Sequence, residues 1–219
     1  MTRIKLCGMR RLEDIEVVNE LKPDYVGFIF AQKSRRYVRP DQAKQLIQRL
    51  APSIKAVGVF VNDMDAQAVV DIARSCGLGA AQLHKDKGDA RVDAIHTLTV
   101  KDSKPLTIIR AFSIASAEDV NPVEKSHADL VLVDHGGGGT GESFDWSLIQ
   151  NLKRDFFLAG GLTPENVGEA IHLTKPLAVD ASSSLETDGF KDPQKMRAFV
   201  QAVHDTDREL ARGERSKYI

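Results

Sequence analysis

Cys7 is one of only two cysteines among 219 residues, and it stands in the stretch Arg3-Ile-Lys-Leu-Cys-Gly-Met9. An apolar run enters it, a glycine follows it, and a helical pattern begins within a few residues. A thiol where a first strand gives way to a loop is placed to meet a ligand; the plain alternative is a small buried packing residue. Cys76, before Gly77 at a helix end, fits that plain reading. Asp134 closes a second apolar run, Asp129-Leu-Val-Leu-Val-Asp134. Arg35 and Arg36 follow a third and have no acidic partner nearby in sequence. A guanidinium there could grip a carboxylate with two parallel hydrogen bonds, the alternative being a solvated loop charge. His84 and His135 are possible proton carriers ranked below Cys7 and Asp134, because isolated histidines are more often scaffold. No spacing of His, Cys, Asp and Glu reads as a metal site.

Gly160-Gly161, followed by Leu-Thr-Pro-Glu, is a phosphate signal: glycines let the backbone come close to an anion and loop N–H groups point at it. Ser182, Ser183 and Ser184 add hydroxyls and N–H groups from a later loop. The competing account is a plain glycine turn between strand and helix. The run Gly136 to Gly139, continuing Thr140-Gly141, reads as a flexible loop that could close over a site, since it follows Asp134 directly.

Strand-like runs over 3–7, 25–30, 56–61, 80–84, 106–111, 130–134, 156–159 and 178–180 must carry these residues. Several are continuously apolar, which suits parallel strands covered on both faces. Helical spacing fills the intervals, over 12–21, 41–50, 64–73, 89–96, 115–122, 146–152, 164–173 and 192–204, with Thr163 as an N-cap before Pro164. Eight strands alternating with eight helices predict an α/β fold, a single (β/α)8 TIM barrel with outer helices over residues 1–204, followed by a charged tail over 205–219 that extends the last helix and frays. An open doubly wound sheet is the alternative, weakened by the lack of a glycine-rich dinucleotide fingerprint after the first strand. Barrels place their chemistry at the carboxyl ends of the strands. There the chain has Cys7, Arg36, Gln82, His84, Asp134, Gly160, Gly161, Asp180, Ser182 and Ser183, and their gathering on one rim weighs more than any one of them.

With 42% hydrophobic and 28% charged residues the chain can bury a large core. A net charge of −1 without a basic block argues against bulk attraction to nucleic acid or anionic membranes. The first residues lack the apolar core of a signal peptide, and no run approaches the ~20 apolar residues of a spanning helix. Two cysteines without a pairing motif predict a reducing, cytoplasmic setting.

In order along the chain stand Ile-Lys-Leu-Cys-Gly-Met (4–9), Val-Gly-Phe-Ile-Phe (26–30), Ser-Arg-Arg-Tyr-Val (34–38), Val-Gly-Val-Phe-Val-Asn (57–62), Gln-Leu-His (82–84), Gly-Gly-Thr-Gly with Phe-Asp-Trp (138–146), Leu-Ala-Gly-Gly-Leu (158–162) and Val-Asp-Ala-Ser-Ser (179–183). By these motifs, from Ile4 to about Phe199, the chain resembles the phosphoribosylanthranilate isomerase family of tryptophan biosynthesis. The resemblance implies a small phosphorylated substrate, with no metal or cofactor, and a monomer is expected. The implied reaction is an Amadori rearrangement of N-(5-phosphoribosyl)anthranilate to 1-(2-carboxyphenylamino)-1-deoxyribulose 5-phosphate. It makes Cys7 the general base, Asp134 the general acid, Arg36 the holder of the anthranilate carboxylate, and Gly161 and Ser183 members of the phosphate loops. The acid must then keep its proton near neutrality and the thiol must lose its own, with Lys5 and Arg36 as possible aids to the thiolate. The chain departs from the family pattern at Ser184 and Lys85, where glycine is usual, and at Arg10, where a threonine often caps the first helix. If Ser184 needs a positive φ, serine costs on the order of 1 kcal/mol there. Two other readings stay open: a different sugar-phosphate isomerase or epimerase on the same fold, and a barrel that binds phosphate without turnover.

Overall fold

The continuously apolar runs become the staves of a closed barrel. The structure is a computed structural model and describes residues 1–135 and 145–216. Eight parallel strands, β1 (Arg3–Cys7), β2 (Tyr25–Ile29), β3 (Lys55–Val61), β4 (Ala80–His84), β5 (Thr107–Ser113), β6 (Leu130–Asp134), β7 (Phe156–Leu158) and β8 (Ala178–Ala181), pair in chain order, and β1 pairs with β8 to close the ring. Closure rules out the open sheet. Helices α1 (Leu12–Leu21), α2 (Pro40–Ile47), α3 (Ala66–Cys76), α4 (Ala90–Thr99), α5 (Val120–Glu124), α6 (Val167–Thr174) and α7 (Pro193–Ser216) lie between or after the strands. Their apolar stripes and the outward strand residues form one buried shell that includes Ile15, Val18, Val69, Val92, Ile171 and Phe199.

Side chains alternate across each strand, so every second residue points into the barrel. The inward residues Tyr25, Val57, Ala80, Ile109, Leu132, Phe157 and Ala178 make a second buried cluster, separate from the outer shell. Tyr25 and Phe157 meet edge to face with ring centroids 5.1 Å apart. Two residues nearer the carboxyl end of the strands the inward positions turn polar: Gln82 follows Ala80, Asp134 follows Leu132 and Asp180 follows Ala178. An apolar plug thus supports a polar layer at one mouth, where the sequence places its candidates.

Several expected elements differ. Between β6 and β7 the expected helix over 146–152 is a 3₁₀ turn, Trp146–Ile149, among the described residues. Asp145 caps it through the Ser147 N–H, and the strand at Phe156 comes too soon for further turns. The segment after β5 is likewise a short 3₁₀ turn, Ala117–Asp119, leading into α5. Thr163 does not cap α6, which begins three residues later than expected. Its hydroxyl accepts from the Glu165 N–H at 3.2 Å, and the Asn166 side chain bonds Thr163 N–H and the Gly161 carbonyl, so the preceding turn is drawn back onto the glycine loop. The glycine run 136–139 lies outside the described residues. At the far end α7 continues to Ser216, so most of the expected tail is helix. No described helix is long and apolar enough to cross a membrane.

The weaker cap expected at Arg10 is compensated from inside the helix. Asp14 accepts the N–H groups of Arg10 at 2.9 Å and Arg11 at 3.0 Å, and its other oxygen takes the Arg11 guanidinium. Asp14 is buried, so its removal leaves two backbone donors unmet. Asp14→Ala is expected to lose about 1–2 kcal/mol of stability in urea unfolding.

Candidate active site

One cavity of about 530 Å³ opens at the carboxyl ends of the strands, and all ten residues singled out above line it. Cys7 reaches it from β1, Gln82 and His84 from β4, Asp134 from β6 and Asp180 from β8; Arg36 comes from the loop after β2, Gly160 and Gly161 from that after β7, Ser182 and Ser183 from that after β8. His135, Cys76 and Arg35 are not among its walls.

Cys7 is held by close packing. Its Cα register partner is Gly27, where a β-carbon would lie 2.5 Å from the Cys7 sulfur. Any side chain there would displace the thiol. Beneath it, on the same face of β1, Lys5 is fully buried and its Nζ donates to Asp180 Oδ2 at 2.7 Å. Burial opposes the charge on Lys5, yet Asp180 and the neighbouring sulfur outweigh it and hold the ammonium above the usual lysine range. Burial also acts on Cys7 and raises the thiol, with Lys5 and then Lys191 pulling the other way and Asp180 adding to the rise. Burial therefore opposes the ionisation that a thiol base needs. The helping cations are Lys5 and Lys191, not Arg36.

Asp134 is shifted in the direction an acid needs, though not far enough to hold its proton fully at neutral pH. Burial lifts its carboxyl to about 6, assisted by Asp180 and opposed by the His135 N–H. Its Oδ1 is buried and makes no hydrogen bond among the described residues. Gly160, at φ +86, leaves it room: a β-carbon there would stand 2.6 Å from that oxygen. Gln82 Oε1, His84 Nδ1 and Asp180 Oδ1 are likewise buried without partners among the described residues. Buried polar atoms are normally paired, so four without partners on residues that line one cavity are unusual. Burial, with Lys85 and Lys5, lowers the His84 pKa and leaves a neutral imidazole.

Arg36 does have an acidic partner, 150 residues along the chain. Its Nε and Nη2 donate to the two oxygens of Glu186 at 2.5 and 2.9 Å. Glu186 also receives Arg35 at 3.2 Å and Lys191 at 2.9 Å. Lys191 Nζ donates to the Ser182 carbonyl too, and the Ser182 hydroxyl donates to the Cys7 carbonyl. Glu186 and Lys191 face each other on a hairpin, β9 (Glu186–Thr187) and β10 (Phe190–Lys191), which was missed from the sequence. Its turn, Asp188-Gly189, has φ of +51 and +78. An Asp-Gly pair is the standard signal for such a two-residue turn, so the clue was present. Arg10 and Arg11 clasp the hairpin through the Gly189 and Lys191 carbonyls and stack on Phe190.

Of the two loop departures, only one is strained. Ser184 lies in a 3₁₀ turn, Ser183–Leu185, and is not among the residues with positive φ. Lys85 stands at φ +65, a conformation that favours glycine.

Comparison with known proteins agrees with this geometry. The family model described as N-(5'phosphoribosyl)anthranilate (PRA) isomerase matches residues 4–202. An N-(5'-phosphoribosyl)anthranilate isomerase of Caldanaerobacter subterraneus subsp. tengcongensis is 40% identical over 209 residues, covering 93% of this chain and 98% of its own. A phosphoribosyl anthranilate isomerase solved with reduced 1-(o-carboxyphenylamino)-1-deoxyribulose 5-phosphate superposes with a TM-score of 0.82 at 33% identity, covering 94% of this chain and 100% of its own. Monomers generated from the dimeric enzyme of Thermotoga maritima give the same TM-score, identity and coverage. With 199 of its residues matched by one family model, the chain belongs to the N-(5'-phosphoribosyl)anthranilate isomerase family.

Proposed function

We propose that Cys7 and Asp134 are the base and the acid of an Amadori rearrangement in this cavity. The activity is isomerisation of phosphoribosylanthranilate in tryptophan biosynthesis, an intramolecular oxidoreduction. The observation that carries the assignment is a thiol and a carboxyl of raised pKa on the walls of one cavity. Asp134 gives its proton to the ribose ring oxygen, the bond from that oxygen to C1 breaks, and the nitrogen lone pair forms the iminium. Cys7 as thiolate takes the proton from C2. The C–H electrons become the C1–C2 double bond and the iminium π pair returns to nitrogen. The enol-amine then loses its hydroxyl proton and gains one at C1, leaving the ketone. C1 is reduced as C2 is oxidised, so the reaction calls for no outside electron acceptor.

Arg36 is proposed to hold the anthranilate carboxylate through Nη1, the guanidinium nitrogen with no partner among the described residues. The phosphate is assigned to the backbone of Gly160 and Gly161 with Ser182 and Ser183. Gln82, His84 and Asp180 are left for the ribose hydroxyls and the linking nitrogen. A monomer in a cytoplasmic setting is proposed as well. Both cysteines are free.

Cys7→Ser and Asp134→Asn are each expected to lower kcat by about 10²–10⁴-fold in a fluorescence assay of substrate turnover. Near-normal turnover by both would falsify the assigned pair.

The pH profile follows from the same two groups. The productive enzyme has Asp134 protonated and Cys7 ionised, one proton shared between them. Below about 6 both hold protons and the base is lost. Above the raised thiol pKa neither does, and the acid is lost. A bell in kcat/KM is expected, with its acid limb near 6 and its alkaline limb above the ordinary cysteine range. A single limb sinks the two-group scheme.

Asp134 also burdens the fold. Its pKa of about 6 exceeds the 3.8 of a free side chain, so stability is full below the latter and is lost as pH rises through the former. The loss amounts to roughly 3 kcal/mol at neutrality. Asp134→Asn should raise Tm at pH 7.5 and give little gain at pH 4; an equal gain at both contradicts the burial argument.

A further inference from the structure

Arg36 is more constrained than a substrate-binding arginine needs to be. Its guanidinium is buried, and so is the carboxylate of Glu186 on which it rests. Two further cations, Arg35 and Lys191, converge on the same carboxylate. Hydrogen bonds from Arg36 and Lys191 overcome the effect of burial and hold Glu186 below the usual carboxylate range, so it stays ionised. Without that charge, three cations would face one another in a half-enclosed space and Arg36 would be pushed from its place. The fork spends Nε and Nη2 on Glu186 and leaves Nη1 for the cavity. The tip of the hairpin is itself fastened, by Arg10 to the Arg35 and Gly189 carbonyls and by Arg11 to the Lys191 carbonyl.

We infer that Glu186 is a positioning residue for substrate specificity: the β9–β10 hairpin delivers its carboxylate to aim Arg36 at the carboxylate of the substrate's aromatic amine. The inference rests on the proposed role of Arg36. Glu186 touches no reacting atom and acts through the direction of another side chain. A residue of that kind serves recognition in ground state and transition state alike, so its loss raises KM and spares kcat. It also makes the preference for a carboxylated ligand, rather than affinity in general, the quantity that changes.

The test uses the full chain and two stable probes. One is reduced 1-(o-carboxyphenylamino)-1-deoxyribulose 5-phosphate; the other is the same molecule without its carboxyl group. In titration calorimetry the native protein is expected to prefer the first by about 10–100-fold, the range for a charge-assisted hydrogen-bonded pair. Glu186→Gln should shrink that preference to about threefold or less, leave binding of the carboxyl-free probe within about twofold, and raise KM about tenfold with kcat little changed. Arg36→Met should shrink it similarly, and adding Glu186→Gln to it should cost no further preference. If Glu186→Gln fails to fold, Glu186→Asp keeps the charge and withdraws it by one methylene; a preference reduced several-fold supports the inference and a full one overturns it. A preference retained in Glu186→Gln but lost in Arg36→Met overturns this inference and leaves the role of Arg36 standing. Equal weakening of both probes makes Glu186 merely structural and overturns it too. No preference in the native protein removes the Arg36 assignment and this inference together.

Discussion

The buried ion pair between Lys5 and Asp180 joins the two ends of the fold. The residues are 175 positions apart, yet they are register partners across the β1–β8 seam, so their contact exists only when the ring is closed. A lone ammonium at that depth is costly to hold, of order several kcal/mol, and its partner's attraction does little more than offset the loss of water. The pair is therefore a poor source of stability. What it supplies is local: a cation beneath the sulfur of Cys7, and one oxygen of the Asp180 carboxylate held in place. The chemistry of the mouth and the topology of the barrel depend on the same contact. Any variant that loosens the seam disturbs both.

Space is the second constraint, and it works against ordinary packing. Barrel interiors are filled with large apolar side chains, and below the site this one is. At the mouth the neighbours of the functional groups shrink instead. Gly27 gives way to Cys7, and Gly160 gives way to Asp134. The two glycines thus let backbone pack directly against thiol and carboxyl, which sit in tight surroundings. That tightness raises both their pKa values. It favours the acid role proposed for Asp134 and opposes the base role proposed for Cys7, where the nearby charges of Lys5 and Lys191 pull the other way.

Local patterns made most of the barrel readable. The bounds of β1, β4, β6 and α1 follow directly from apolar runs and three- and four-residue spacing, because those signals arise from burial of each segment's own residues. The polar rim was legible for the same reason: in parallel strands the last inward residue marks the mouth. Two kinds of feature escaped. Segments too short to repeat a period, such as Trp146–Ile149 and the turn before α6, resemble helices in composition but lack the length to complete turns. Long-range charge pairing escaped as well. Nothing near Arg36 in sequence points to Glu186, and Lys191 stands in a stretch with no strong pattern. The Asp188-Gly189 turn could have revealed the hairpin, but not what it touches.

The charges of the mouth can be weighed together. Lys5 is paired with Asp180, whose carboxyl is raised by burial against the pull of Lys5, while Arg35, Arg36 and Lys191 share Glu186, which stays ionised. Asp134, at about 6, adds less than a full negative charge near that pH, and Cys7 adds none while it holds its proton. The cations outnumber the two carboxylates they surround, and the cavity walls add Lys33, Lys85 and Asp63. A ligand with an aromatic carboxylate at one end and a phosphate at the other completes that balance. Such anions stabilise the surrounding ammonium groups, yet brought close to the sulfur they also raise the cost of forming a second negative charge there. In the proposed pose the carboxylate lies on the Arg36 side of the mouth and the phosphate at the loops after β7 and β8, while the sulfur keeps Lys5 beneath it. Lys5 and Lys191, each held by a carboxylate of the protein, are then the cations that act on the thiol.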